Sequence, residues 1–113
     1  MRLNISERIN LLSILPEESN YVTLKIVTDL KSDLSFSEEE IKGYNISTKQ
    51  EGDRVFTFWN LEKEKEKDIK IGEKATDIII DALKKLDEEK KINEQTAKLY
   101  EKFILNKKED GKD

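Results

Sequence analysis

Cysteine and histidine are absent from the 113 residues, proline occurs once and glycine four times. Without cysteine there is no disulfide, no thiolate metal ligand and no thiol nucleophile, a composition that fits a reducing cytoplasm. Without histidine the chain lacks the commonest general base near neutral pH and the commonest zinc ligand, so turnover would have to run on Asp, Glu, Lys, Tyr, Ser or Thr. The expectation is a non-enzymatic protein with no cofactor. The glycines, at positions 43, 52, 72 and 111, stand alone and read as a helix stop, a turn, a strand end and tail, so no phosphate-cradling loop is built. No apolar run approaches the roughly twenty residues of a membrane span, and no basic-then-apolar leader opens the chain, which places the expected location in the cytoplasm.

An excess of one charge is also missing. Charged residues make up 41% of the chain, yet the net charge is only −4 because Lys and Glu are interleaved. Residues 1 to 60 hold seven basic and ten acidic side chains and residues 61 to 113 hold fourteen and fifteen, so neither half is a basic module. Binding nucleic acid by neutralising phosphates is disfavoured on that balance.

What is present is organised around Glu73 to Lys91. Ala75, Ile78, Ile79, Ala82, Leu83 and Leu86 recur at the spacing that lays one apolar stripe along a helix, which predicts a buried core helix. Ile80 departs from the stripe and projects among charges, so it meets either a wrapped-around element of the same chain or a neighbouring subunit. Upstream, Ser6 as N-cap with Ile5 as a staple predicts a first helix that Pro16 stops. Asn20 predicts a second, carrying Tyr21, Leu24 and Val27 on its apolar face, although the β-branched run from Tyr21 to Thr28 has strand character too. Ser37 and Glu40 form a capping-box pattern for a short third helix ended by Gly43. From Tyr44 the period changes to two, and YNISTKQ and RVFTFWN around Glu51, Gly52 and Asp53 predict a β-hairpin. Residues 62 to 68, EKEKEKD, read as a solvated linker or as a charged edge strand. The segment Lys67 to Ile71 offers a third strand to the hairpin. Ile92 and Asn93 then staple and cap a terminal helix with Ala97, Tyr100, Phe103 and Ile104 inward. The expected fold is a single α+β domain over residues 1 to 105: a helical hairpin, a short helix, a β-hairpin or three-stranded antiparallel sheet, the long core helix and a C-terminal helix. Residues 106 to 113 are expected to be a flexible charged tail.

The segments LNISERINLLSILPEESNYVTLKIV, LSFSEEEIK, EKEKDIKIGEKA, ALKKLDEEKK and LYEKFI together resemble a family of small phage and prophage-type proteins of unassigned function. The resemblance spans Leu3 to Ile104. It implies a viral or mobile-element setting and carries over no functional residue.

Three surfaces are candidates for function. The aromatics Phe56, Phe58 and Trp59 either pack on the central helix, anchor a protein interface, or stack bases; base stacking calls for more cations than the nearby Lys49 and Arg54. With Ile80 they form the favoured protein-interaction set, for a host or virion protein or for a second copy in a homo-oligomer. Lys70 and Lys74, at the expected entry to the core helix, are the candidate anion or nucleotide site. Asp77 and Asp81 lie one turn apart, as carboxylates do on an ordinary solvated face. The order helix, helix, short helix, hairpin invites comparison with a winged helix, but its reading helix would be SEEEIKG, whose three glutamates would be repelled by phosphates. A role as a nucleic-acid-associated accessory factor therefore ranks below protein binding and small-molecule binding.

Overall fold

Local capping sets the element boundaries in the computed structural model, which describes residues 1–105. The expected tail lies outside the described residues. Asn4, not Ser6, caps the first helix: its side chain accepts from the Glu7 amide while the Glu7 carboxylate accepts from the Asn4 amide. Helix α1 consequently runs Ile5–Ile14, with Ile5 buried as its first residue. Asn20 caps α2, Tyr21–Leu34, as its position predicts, and the strand character of this run loses to the helix. The inward face of α2 is Val27, Leu30 and Leu34, whereas Tyr21 and Val22 are exposed on the first turn. Ser37 and Glu40 close the capping box of α3, Glu38–Gly43.

Two helices stop without glycine in the left-handed position that usually marks such an end. Helix α3 ends at Gly43 as expected, with Tyr44 as its cap, but the left-handed residue is Asn45, at φ 54°. The Asn45 amide donates to the Lys42 carbonyl and the Ile46 amide to the Ile41 carbonyl, the paired bonds of a Schellman stop. The same pair of bonds, from Lys90 to Asp87 and from Lys91 to Leu86, ends α4 with Lys90 at φ 58°. Helix α4 is therefore Glu73–Glu88 and falls short of Lys91.

Among the described residues the architecture is α+β, five α-helices with two small antiparallel strand pairs. Strand β1, Arg2–Leu3, pairs with β4, Lys67–Asp68. Strand β2, Ser47–Glu51, pairs with β3, Arg54–Phe58, in register from Ser47 opposite Phe58 to Glu51 opposite Arg54. The Lys67 segment thus does not extend the hairpin to a third strand; it closes on the start of the chain, where Ile69 donates to the Met1 carbonyl. Nor is EKEKEKD a free linker. Glu64 accepts from the otherwise orphaned amide of Ile5 at the head of α1 (2.9 Å), and Lys67 lies 3.7 Å from Glu40.

Helix α4 is flanked by α1, α2, α5 (Glu94–Tyr100) and the single π-helical turn Glu101–Leu105 that follows α5. A helix covered on several sides buries a wider arc than one stripe. Ala75, Ile79 and Leu83 are buried as the periodicity predicts, Ile78, Ala82 and Leu86 are half-buried, and Ile80 is buried as well, 8% exposed. Ile80 belongs to the core with Leu3, Leu11, Leu34, Leu99 and Phe103, which corrects its assignment to an interface. Among the described residues no helix is long and apolar enough to cross a membrane.

Candidate functional site

The feature that stands apart from the core is the hairpin arm formed by β2 and β3. Every residue of β2 is exposed, and so is every residue of β3 except the half-buried Thr57. Among the described residues no other helix or strand packs extensively on it. The turn is two residues long. Gly52, the first of them, has φ 60°, a conformation the hairpin needs there and that only glycine adopts without strain.

Because side chains alternate across a strand, directly opposed residues share a face. One face carries Phe58 with Ser47, Phe56 with Lys49, and Arg54 with Glu51; the other carries Val55 with Gln50 and Thr57 with Thr48. Phe56 and Phe58 are 39% and 54% exposed, and Val55 on the reverse face is 64% exposed. Leu61, just past the arm, is open too. The expected packing of these phenylalanines on the central helix does not occur. Trp59 behaves differently from its neighbours: it is half-buried, its indole Nε1 is covered, and that N–H has no hydrogen-bond partner among the described residues. It belongs to the root of the arm rather than to its open face. There the Asn60 amide donates to the Tyr44 carbonyl at 2.7 Å and ties the incoming and outgoing chains together.

The root is held to the helical body by a buried ion pair that the sequence pattern did not single out. The Arg8 side chain is 2% exposed. Its Nη1 donates to Glu40 Oε2 at 2.6 Å, Nη2 to the Ser35 carbonyl at 2.7 Å, and Nε to the Leu34 carbonyl at 3.1 Å, while the guanidinium lies 4.1 Å from the centre of the Phe36 ring. The hydrogen bond from Arg8 holds the Glu40 carboxyl at about 2, against an ordinary value of 4.5; burial opposes this, and the Ser37 amide and the charges of Arg8 and Lys67 assist it. Every nitrogen of Arg8 is occupied, so the pair fastens α1, the end of α2 and α3 together and leaves no open coordination position for a ligand. The available signal was Arg8 itself, a cation standing in the apolar stripe of α1 between Ile5 and Leu11 and therefore in need of a carboxylate.

The other candidates are not drawn together with the arm. Lys70 and Lys74 are exposed and border a shallow groove that also carries Asp29, Asp33 and Glu73, so its charge is mixed rather than anion-attracting. Asp77 and Asp81 are exposed on α4, and among the described residues no group of three or more Asp, Glu, His or Cys converges as metal ligands would. Comparison with protein-family models, with curated proteins and with solved structures finds no match to the chain.

Proposed function

We propose that this is a non-enzymatic binding protein that works through the hairpin arm, by assembling or by occluding a protein surface rather than by turnover. The observation that carries the reading is the exposure of Phe56 and Phe58 on one face of an arm that the rest of the described chain leaves uncovered. Exposed aromatics impose a solubility cost and contribute little to folding, whereas at an interface they supply large contact area for few frozen torsions. The polar groups on the same face, Lys49, Glu51 and Arg54, provide the rim that such an anchor needs. The resemblance to phage-type proteins suits a cytoplasmic partner of host or virion origin, or a second copy of the chain.

The test separates binding residues from folding residues. Replacing Phe56 and Phe58 together by serine should leave the thermal midpoint within a few degrees of wild type, since exposed substitutions are usually worth about 0.5 kcal/mol or less. Binding or self-association should be lost in the same variant. A fall in stability of several kcal/mol, the size of a core truncation, would show that the phenylalanines serve the fold and end the reading.

A further inference from the structure

We infer that the arm's partner is a second copy of this chain, joined edge to edge through β3 in an antiparallel pair centred on Phe56. The inference rests on the reading of the arm as a binding surface and adds the occupant and the register. In a hairpin closed by a two-residue loop, the residues flanking the loop, here Glu51 and Arg54, exchange backbone hydrogen bonds, and the pattern alternates from there. Arg54, Phe56 and Phe58 accordingly spend their backbone groups on β2. The N–H and C=O groups of Val55 and Thr57 point out of the arm on the β3 side, and those of Thr48 and Gln50 point out on the β2 side.

Pairing β3 with itself about Phe56 sets Val55 opposite Thr57 of the second copy and Thr57 opposite its Val55. Both outward-facing residues then fall in hydrogen-bonded pairs, so the full set of free backbone groups on that edge is used. Phe56 meets Phe56 of the second copy in the non-hydrogen-bonded pair, where side chains approach most closely, and Arg54 lies opposite Phe58. Sliding the register by two in one direction sets Thr57 against Asp53 in the turn; sliding it in the other sets Val55 against Trp59 at the root. Neither alternative keeps all pairs within the strand. The β2 edge is a poorer partner for its own copy, because the equivalent arrangement places Lys49 against Lys49. The arm as a whole is neutral, since Lys49 and Arg54 balance Glu51 and Asp53, so two arms carry no net repulsion. The pairing is isologous and closes at two copies, with the roots at opposite ends of the resulting four-stranded sheet and the lysine-bearing β2 edges outermost. One five-residue edge is a small interface, which makes the dimer weak and dependent on concentration.

The experiment is light scattering coupled to size exclusion at high and low protein concentration, on the full chain and on two proline variants. Thr48 and Thr57 oppose each other in the arm, and each N–H points away from the β2–β3 ladder, so proline at either position leaves the arm's own ladder bonds in place. Thr57→Pro deletes a donor on the pairing edge; Thr48→Pro deletes one on the far edge. Helical circular dichroism verifies that both fold. Self-pairing predicts a dimer for wild type and for Thr48→Pro that dissociates on dilution, and a monomer for Thr57→Pro at both concentrations. A wild-type monomer throughout, a Thr57→Pro dimer, or a Thr48→Pro monomer each overturns it. Such a result leaves the serine test of the phenylalanines standing on its own.

Discussion

Arg8 is the residue on which the placement of the arm turns. Its guanidinium is out of water, and its hydrogen bonds to Glu40 and to two carbonyls at the end of α2, with its cation–π contact on the face of Phe36, replace the lost hydration. Removing one partner of such a pair strands the other charge, so Arg8→Ala should cost roughly 3–5 kcal/mol in urea unfolding at neutral pH. The pH dependence follows from Glu40. Its carboxyl titrates at about 2 in the fold and near 4.5 when free, so the fold favours the charged form. That contribution is complete above pH 4.5 and is lost as pH falls from there towards 2. Wild-type stability should decline across this window by more than that of Arg8→Ala; equal declines would mean that Arg8 does not set the Glu40 titration. The sequence shows Arg8 inside an apolar stripe, but its carboxylate lies 32 positions away, and spacing along one helix carries no information about a partner on another.

At the scale of elements, periodicity was the stronger guide and boundaries the weaker. The apolar spacing of α4, the cap at Asn20, the capping box of Ser37 and Glu40 and the alternating hairpin all correspond to elements that form. The misplaced ends have separate sources. Helix α4 stops early because Lys90 adopts the left-handed conformation in place of glycine, and a lysine in that role leaves no compositional mark. Helix α1 starts early because Asn4, unlike Ser6, has a glutamate three residues on to complete a capping box. Of the two readings of Ile80, the element of the same chain is the one that forms: a helical wheel assumes one buried face, whereas α4 is covered from several directions, and Ile80 drops out of the interaction set. Truncating it should therefore act on the fold. Ile80→Ala is expected to lower the unfolding free energy by about 2–4 kcal/mol in a denaturant titration and to leave the association state of the folded protein as it was. A change below about 0.5 kcal/mol, the size of an ordinary surface substitution, would place Ile80 outside the core.

For the molecule as a whole, the α+β class follows from the order of periodic segments, but the contacts between distant segments do not. The pairing of Arg2–Leu3 with Lys67–Asp68, the capping of α1 by Glu64 and the bond from Lys102 Nζ to the Arg2 carbonyl join parts of the chain far apart in sequence. These tie the body into a unit and leave the hairpin as the part that projects. Two copies of the molecule have one projecting edge that is self-complementary in hydrogen bonding, on an arm without net charge, and this is the central claim. Residue-resolved amide hydrogen exchange on the purified protein at high concentration tests it most directly, because the four outward-pointing amides of the arm divide by edge. Self-pairing predicts slow exchange at Val55 and Thr57, lost on dilution, with fast exchange at Thr48 and Gln50 throughout; equally fast exchange at all four would contradict it.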